Sequence, residues 1–219
     1  MDYLALYVTL KLASFTTIFL MLIAAPIAYL LAYTRFPGKS LMEALIYLPM
    51  ALPPTAIGFY LLVVMGPKGF AGQAWETITG GSLLFTFLGI TIASIIYSIP
   101  FAVQPMKAAF QKIDQRLLDA AYILGLSKRT AFFRVIIPNS VSGIAAAAVL
   151  VFLHSIGAFG VLLMVGGSIP GETKVASIAI YEAVETMNYS AAGMIALSFI
   201  PVSYAFLLLI NKLNEDSRT

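Results

Sequence analysis

Long apolar runs free of charge dominate the chain. A helix crossing the hydrocarbon of a bilayer needs about 20 mostly apolar residues. Five runs meet that requirement: Leu12 to Tyr33, Ala44 to Met65, Ser82 to Met106, Asn139 to Ser168, and Tyr189 to Asn211. They predict spanning helices over 5–33, 44–65, 82–106, 139–166 and 189–212. The third and fourth runs are long enough to include a turn outside the bilayer. Pro26, Pro49, Pro53, Pro54 and Pro100 fall inside these runs. Proline is tolerated there when neighbouring helices or water satisfy the freed carbonyls, so the helices are expected to pack together. The start Met1-Asp2-Tyr3 lacks a basic leader, and the first run exceeds a signal-peptide core, so it reads as a retained anchor.

Composition agrees: 60% of the residues are hydrophobic and only 11% are charged, unlike a soluble domain whose surface carries charge. The chain has no cysteine, which removes disulfides, thiolate metal sites and thiol nucleophiles. The net charge of +3 is unevenly placed. Ten cations fall on one side if five helices alternate: Arg35, Lys39, Lys107, Lys112, Arg116, Lys128, Arg129, Arg134, Lys212 and Arg218. The other side holds only Lys68 and Lys174, with Lys11 near the start of helix one. Positive charge accumulates on the cytoplasmic side, which predicts an outer N-terminus and a cytoplasmic C-terminus. The outer loop Gly66 to Gly81, Gly-rich and punctuated by Pro67, reads as irregular. The loop from Gly166 to Asn188 opens on turn residues and turns helical from about Lys174 to Thr186. Glu182 and Glu185 there read as the solvated face of an external helix, with a cation site as the alternative.

The stretch 107–138 is cytoplasmic by charge, yet contains Leu117, Leu118, Ala120, Ala121, Tyr122, Ile123 and Leu124. So much apolar surface beside water usually marks an interface. Its local grammar predicts two short helices. Asp114 starts the first, and Asp119 suits its early, positive part. Gly125 fits the left-handed position that ends it. Ser127 caps the second, which runs through Arg134 until Pro138 interrupts it. Lys128 and Arg129 are unfavourable at that helix start; a partner's acidic surface or simple solvation would compensate.

Importer permeases of the ATP-binding-cassette class carry a cytoplasmic signature of E-A-A, three residues, G, nine residues, I-x-L-P. This chain resembles it with Asp119-Ala120-Ala121, then Gly125, then Val135-Ile136-Ile137-Pro138 at the same spacing. The resemblance implies coupling helices seated in a groove of a separate ATPase, with Asp119, Ala120, Ala121, Gly125, Leu126, Ser127 and Pro138 as the coupling residues. The alternative is an amphipathic hairpin on the membrane surface. The fold implied is all-α and integral to the membrane, a five-transmembrane-helix bundle of the type I ABC importer permease kind.

Further stretches resemble the molybdate permease family: Arg35-Phe36-Pro37-Gly38-Lys39-Ser40, Leu48 to Phe59, and Ile169-Pro170-Gly171-Glu172-Thr173 followed by Ala179-Ile180-Tyr181. The similarity covers nearly the whole sequence. It implies a homodimer, two ATPase subunits carrying ATP and Mg, and an extracytoplasmic molybdate-binding protein, all in a prokaryotic cell membrane. Tungstate, sulfate or thiosulfate are the alternative cargoes. Family members read R-x-L-G-E-F-G where this chain has His154-Ser155-Ile156-Gly157-Ala158-Phe159-Gly160. Two charged positions four apart, expected to be neighbours on one helix face, have become His and Ala.

Candidate gate or pathway residues are Pro53, Pro54, Thr55, Ser98, His154 and Gly157. His154, the only histidine, is either packed in the bundle or part of the path. The hydroxyls of Thr55, Thr91, Ser94, Ser98 and Ser155 either line a path or satisfy helix carbonyls. Lys11 either snorkels to the interface or attracts an oxyanion. Gly38-Lys39-Ser40 tempts a phosphate-loop reading, but position 33 is tyrosine and a spanning helix precedes it, so a turn is expected. Neither a cofactor nor a metal site is expected in this chain, and nucleic acid is not an expected partner. An intramembrane enzyme lacks its nucleophile and base. A passive channel would not need the apolar loop.

Overall fold

The computed structural model describes residues 2–216, with side chains described through residue 208. Of the ten cations expected on the cytoplasmic side, the Lys212 side chain and Arg218 lie outside the described residues. The chain is helical throughout its course: α1 (Tyr3–Tyr33), α2 (Lys39–Ala51), α3 (Pro54–Met65), α4 (Phe70–Thr79), α5 (Phe87–Gln111), α6 (Gln115–Ile123), α7 (Lys128–Ala131), a π-helical turn (Phe132–Ile136), α8 (Ile137–Asn139), α9 (Val141–Gly157), α10 (Gly160–Gly166), α11 (Ala176–Glu185) and α12 (Tyr189–Asp216).

Helices α1, α5 and α9 pack on one another as the centre of the bundle. Its two largest apolar clusters among the described residues lie towards opposite ends. At the end carrying α6 to α8, here called the basic end, Leu20, Ala24, Ala28 and Leu31 of α1 meet Val103, Met106 and Phe110 of α5. Towards the opposite end, Val8 and Leu12 meet Ile57, Ile90, Val161, Leu162 and Ile178. Close approach of α5 and α9 depends on Gly143, where an added Cβ would come within 2.3 Å of the Ala109 Cβ. Gly143→Leu is therefore expected to destabilise the bundle by about 1–3 kcal/mol through overpacking. Thermal unfolding in detergent checks this, and an unchanged midpoint contradicts the packing assignment.

Among the described residues, three helices are long and apolar enough to cross a membrane singly: Tyr3–Tyr33, Phe87–Gln111 and Tyr189–Leu208. Two bent pairs raise the count to as many as five. The expected continuous second span is broken. Lys39–Ala51 and Pro54–Met65 meet at 113°. The interruption itself is local, whatever sets the angle: Pro53 and Pro54 supply no backbone N–H, and Leu52 is held extended ahead of Pro53 (φ −92°, ψ 145°). The expected fourth span is also broken. Helix α9 stops at Gly157, Ala158 is extended, and α10 starts afresh at Gly160. The stretch before α9 meets it at 76°.

Three further expectations need correction. The third helix does not begin at Ser82; Thr86 caps it by accepting from Gly89 N (3.0 Å), and it runs on to Gln111. The first five residues of the expected run instead turn, with Phe85 at positive φ donating its N–H to Val165 O (3.0 Å). The loop expected outside, 66–81, is not irregular: Gly69 and Gly80 flank α4, and Gly72 lies inside it, packed so closely that an added Cβ would stand 2.0 Å from Gly66 O and 2.5 Å from Met65 O. Finally, Pro138 does not end the second loop helix. Helix continues to Asn139, because the preceding π turn, with Ile137 N donating to Phe132 O, widens the backbone ahead of the proline.

At the opposite end, Lys174 bridges Glu182 (2.7 Å) and Asp2 (3.5 Å), tying the start of α1 to α11. The hydrogen bond from Lys174, and then that from Ser168, hold the Glu182 carboxyl below the usual carboxylate range. The same bond holds Lys174 above its ordinary value. A depressed carboxylate contributes stability above its unfolded pKa and loses it as pH falls through the folded one. A raised lysine contributes fully below its unfolded pKa, so the clamp is complete at neutral pH and opens in acid. Acidification through the carboxylate range is expected to lower the unfolding midpoint of the wild type more than that of Glu182→Gln. Parallel curves would contradict the clamp.

Candidate functional site: a loop of short helices and a central cavity

The loop at the basic end is built by three local devices. The Asp114 carboxylate accepts from Arg116 N (2.9 Å) and opens α6. Gly125 closes it in the left-handed region (φ +80°). There Gly125 N donates to Tyr122 O and Leu126 N to Ala121 O, both at 3.0 Å, which satisfies the last carbonyls. The Ser127 hydroxyl then accepts from Thr130 N (3.2 Å) at the start of α7. Asp119 is exposed on α6 and takes a bond from Gln115 (3.2 Å).

Helix α6 has two apolar faces with different fates. Leu118 and Ala121 are buried, and Leu118 joins Phe110 and Ile136 in the bundle core. Ile123 and Leu124, at 85% and 79% exposed, stand free at its tip, with Leu117, Ala120 and Tyr122 also exposed. The loop is thus anchored by one face to the central helices and presents the other outward. Ser127 and Pro138 are exposed beside this tip, and Leu126 is half-buried.

Where α3 meets α9 and α10, a cavity of about 470 Å³ opens, lined by Pro54, Thr55, Tyr97, Leu153, His154, Gly157, Ala158, Phe159 and Gly160. The breaks in the two expected spans create it, since both interruptions of helix face the same space. The extended residue Ala158 is held by its carbonyl, which accepts from the Ser177 hydroxyl (2.6 Å). His154 stacks on Phe101 (ring centroids 3.9 Å) and lies against Tyr97 (4.5 Å), and its buried Nε2 has no hydrogen-bond partner.

Four of the six candidate path residues meet here: Pro54, Thr55, His154 and Gly157. Pro53 precedes α3 without lining the cavity, and Ser98 is buried in α5 away from it. His154 lies in the last turn of α9, Ala158 is the residue that caps it, and both line the cavity. Sequence reasoning missed Tyr97, whose signal is its place one turn before Phe101 with a polar tip in an apolar helix. The hydroxyls of Thr91 and Ser155 donate to their own helices, at Phe87 O (2.7 Å) and Val151 O (2.8 Å). Lys11 sits over the Phe87 ring, 4.2 Å from its centroid, a cation–π contact in place of free snorkelling. Gly38 is left-handed (φ +86°), and Lys39 donates to Thr34 O (3.2 Å), so that segment is a turn. Glu182 is engaged by Lys174, and Glu185 accepts from Tyr181 (2.5 Å). No group of His, Cys, Asp and Glu that would hold a metal ion occurs among the described residues.

Known proteins share both the sequence and the architecture. The chain is 44% identical over 204 residues to the molybdenum transport system permease protein ModB of Azotobacter vinelandii, covering 91% of this chain and 90% of that one. It is 32% identical to ModB of Escherichia coli K12, covering 94% and 90%. A probable sulfate transport system permease protein cysT of Zygnema circumcarinatum is 34% identical, covering 94% of this chain but 70% of its own length. Among solved structures, a bacterial ABC transporter importing the polysaccharide alginate aligns with a TM-score of 0.73 at 18% identity, over 99% of this chain and 78% of that one. An amino acid ABC transporter aligns with a TM-score of 0.60 at 17% identity, over 97% and 92%. A sequence model of the binding-protein-dependent transport system inner membrane component matches residues 8–218, and the chain belongs to that family of multi-pass ABC importer permeases.

Proposed function

We propose that this chain is the permease subunit of an ATP-driven molybdate importer, with tungstate, close in size and charge, as a second cargo. The observation that carries the reading is its similarity to the molybdenum permease of Azotobacter vinelandii, 44% identical and matched over 90% of that relative's length. Sulfate import is the second reading, favoured by the 34% identity to a probable sulfate permease, of which only 70% is matched.

The subunit works as a homodimer, because so few helices enclose a gated path only when doubled by a two-fold axis. The N-terminus is outside, and the basic end faces the cytoplasm, as its excess of lysine and arginine favours. Two ATPase subunits, which hold ATP and Mg, seat the apolar tip of α6 and the turn Gly125-Leu126-Ser127, with Asp119, Ala120 and Ala121 behind it. An extracytoplasmic binding protein delivers the oxyanion at the other end. A solved alginate ABC transporter in complex with its substrate-bound periplasmic protein supports that arrangement.

ATP binding draws the ATPases together. Because Leu118 and Ile136 belong to the core that includes Met106 and Phe110, a push on the loop becomes a tilt of the central helices. The broken segments around Pro54 and Gly157 are the elements that move past one another and open the cavity outward. Hydrolysis returns the inward-open state. Proteoliposomes with the binding protein outside and ATP inside are expected to accumulate molybdate. Excess tungstate should compete and sulfate should not; competition by sulfate at equal concentration would favour the second reading.

A further inference from the structure

Between α1 and the second loop helix lies a groove of about 300 Å³ that the transport cycle does not use, lined by Pro26, Tyr29, Lys128, Arg129 and Phe132. We infer that this groove holds one anionic phospholipid of the inner leaflet, its phosphate between Lys128 and Arg129 and an acyl chain against Pro26, Tyr29 and Phe132. The inference rests on the orientation proposed above.

Depth, chemistry and charge agree on that occupant. Pro26 lies seven residues before the end of α1, which at 1.5 Å per residue places it roughly 10 Å inside the helix end. Helix α1, with 31 residues and a length of about 46 Å, overhangs a hydrocarbon core of about 30 Å, so when centred in a bilayer it carries Pro26 at the level where acyl chains begin. The far rim carries Lys128 and Arg129, both exposed and without an ion pair among the described residues. Between floor and rim stands an aromatic step: Tyr29 packs edge-on to Phe132 (ring centroids 5.2 Å) and lies against Tyr33 (5.3 Å). Apolar floor, aromatic step and cationic rim follow the order of acyl chain, glycerol region and phosphate in a leaflet.

The groove joins the first spanning helix to the segment that ends in the π turn. A lipid wedged there acts on the same loop as the ATPase, from the membrane side. Lipid composition thereby has a physical route to the loop's position.

The test is native mass spectrometry of the assembled transporter released from nanodiscs of phosphatidylcholine with a minor fraction of phosphatidylglycerol. Wild type is expected to retain phosphatidylglycerol. The double variant K128Q/R129Q should lose roughly tenfold or more of it, since each cation near the surface contributes appreciably to anionic-lipid binding. The charge-conserving K128R/R129K should retain it, which separates a headgroup site from a folding defect. Equal retention by K128Q/R129Q overturns the inference. So does displacement of the lipid by millimolar inorganic phosphate, which would mark a plain anion site. Loss of the ATPase from K128Q/R129Q with lipid unchanged would assign the cations to that partner and overturn it too. Labelling of Lys128→Cys by an impermeant thiol reagent tests the orientation separately: reaction from outside the cell refutes the orientation, whatever the lipid count.

Discussion

Replacing Ile123 and Leu124 together by aspartate is expected to separate this subunit from its ATPase. Both side chains are largely exposed, at 85% and 79%, so the subunit's own fold loses little. An interface that buries them gains about 1.5–3 kcal/mol for each. Aspartate removes that gain and adds the cost of burying a carboxylate. Affinity should fall about a hundredfold or more, since each 1.4 kcal/mol is a factor of ten. Co-purification of the two subunits at graded concentrations reads the effect directly. The neighbouring Leu118→Asp is the contrast: Leu118 is 2% exposed in the core, so this variant should fail to fold. Retained association by the double variant, with Leu118→Asp unfolded, would remove the α6 tip from the coupling surface. Gly125→Val tests the turn itself, because valine at φ +80° costs about 1–2 kcal/mol and reorients the tip.

The second large effect is expected at Gly157. An added Cβ there meets nothing within 4 Å, and the residue lines the central cavity. Gly157→Phe should therefore fill the space between α3 and α9 without forcing the backbone. Transport should drop to the background of empty vesicles, while expression, dimer formation and ATPase association persist. Gly160→Phe makes the comparison sharper, since a Cβ at Gly160 stands 3.1 Å from Thr55 Cγ2 and pushes α3 itself. Full uptake by Gly157→Phe would place the path elsewhere.

What the sequence made legible was local or periodic. The apolar lengths of α1, α5 and α12 follow from the requirement of the bilayer, and the devices at Asp114, Gly125 and Ser127 each involve residues within five positions. The breaks were only half legible. Pro53 and Pro54 announce an interruption, yet the 113° between α2 and α3 depends on packing against α5 and α10. The break at Ala158 is held by Ser177, nineteen residues on, which no window of sequence displays. Hence the cavity that His154 and Ala158 both line was not legible from their spacing. Helix α4 was hidden because Gly69 and Gly80 at its ends and Gly72 within it gave the loop an irregular composition. Ser98 and Tyr97 show the limit of residue type as a guide: the hydroxyl expected on the path is buried, and its aromatic neighbour lines the cavity.

The most direct measurement is ATP hydrolysis by the reconstituted complex of this subunit, its ATPase and its binding protein, titrated with molybdate, tungstate and sulfate. Molybdate and tungstate are expected to stimulate hydrolysis through the loaded binding protein, and sulfate to leave the basal rate unchanged. Stimulation by sulfate alone would contradict the proposed cargo, and an ATPase that never associates with this subunit would contradict the role given to the α6 tip.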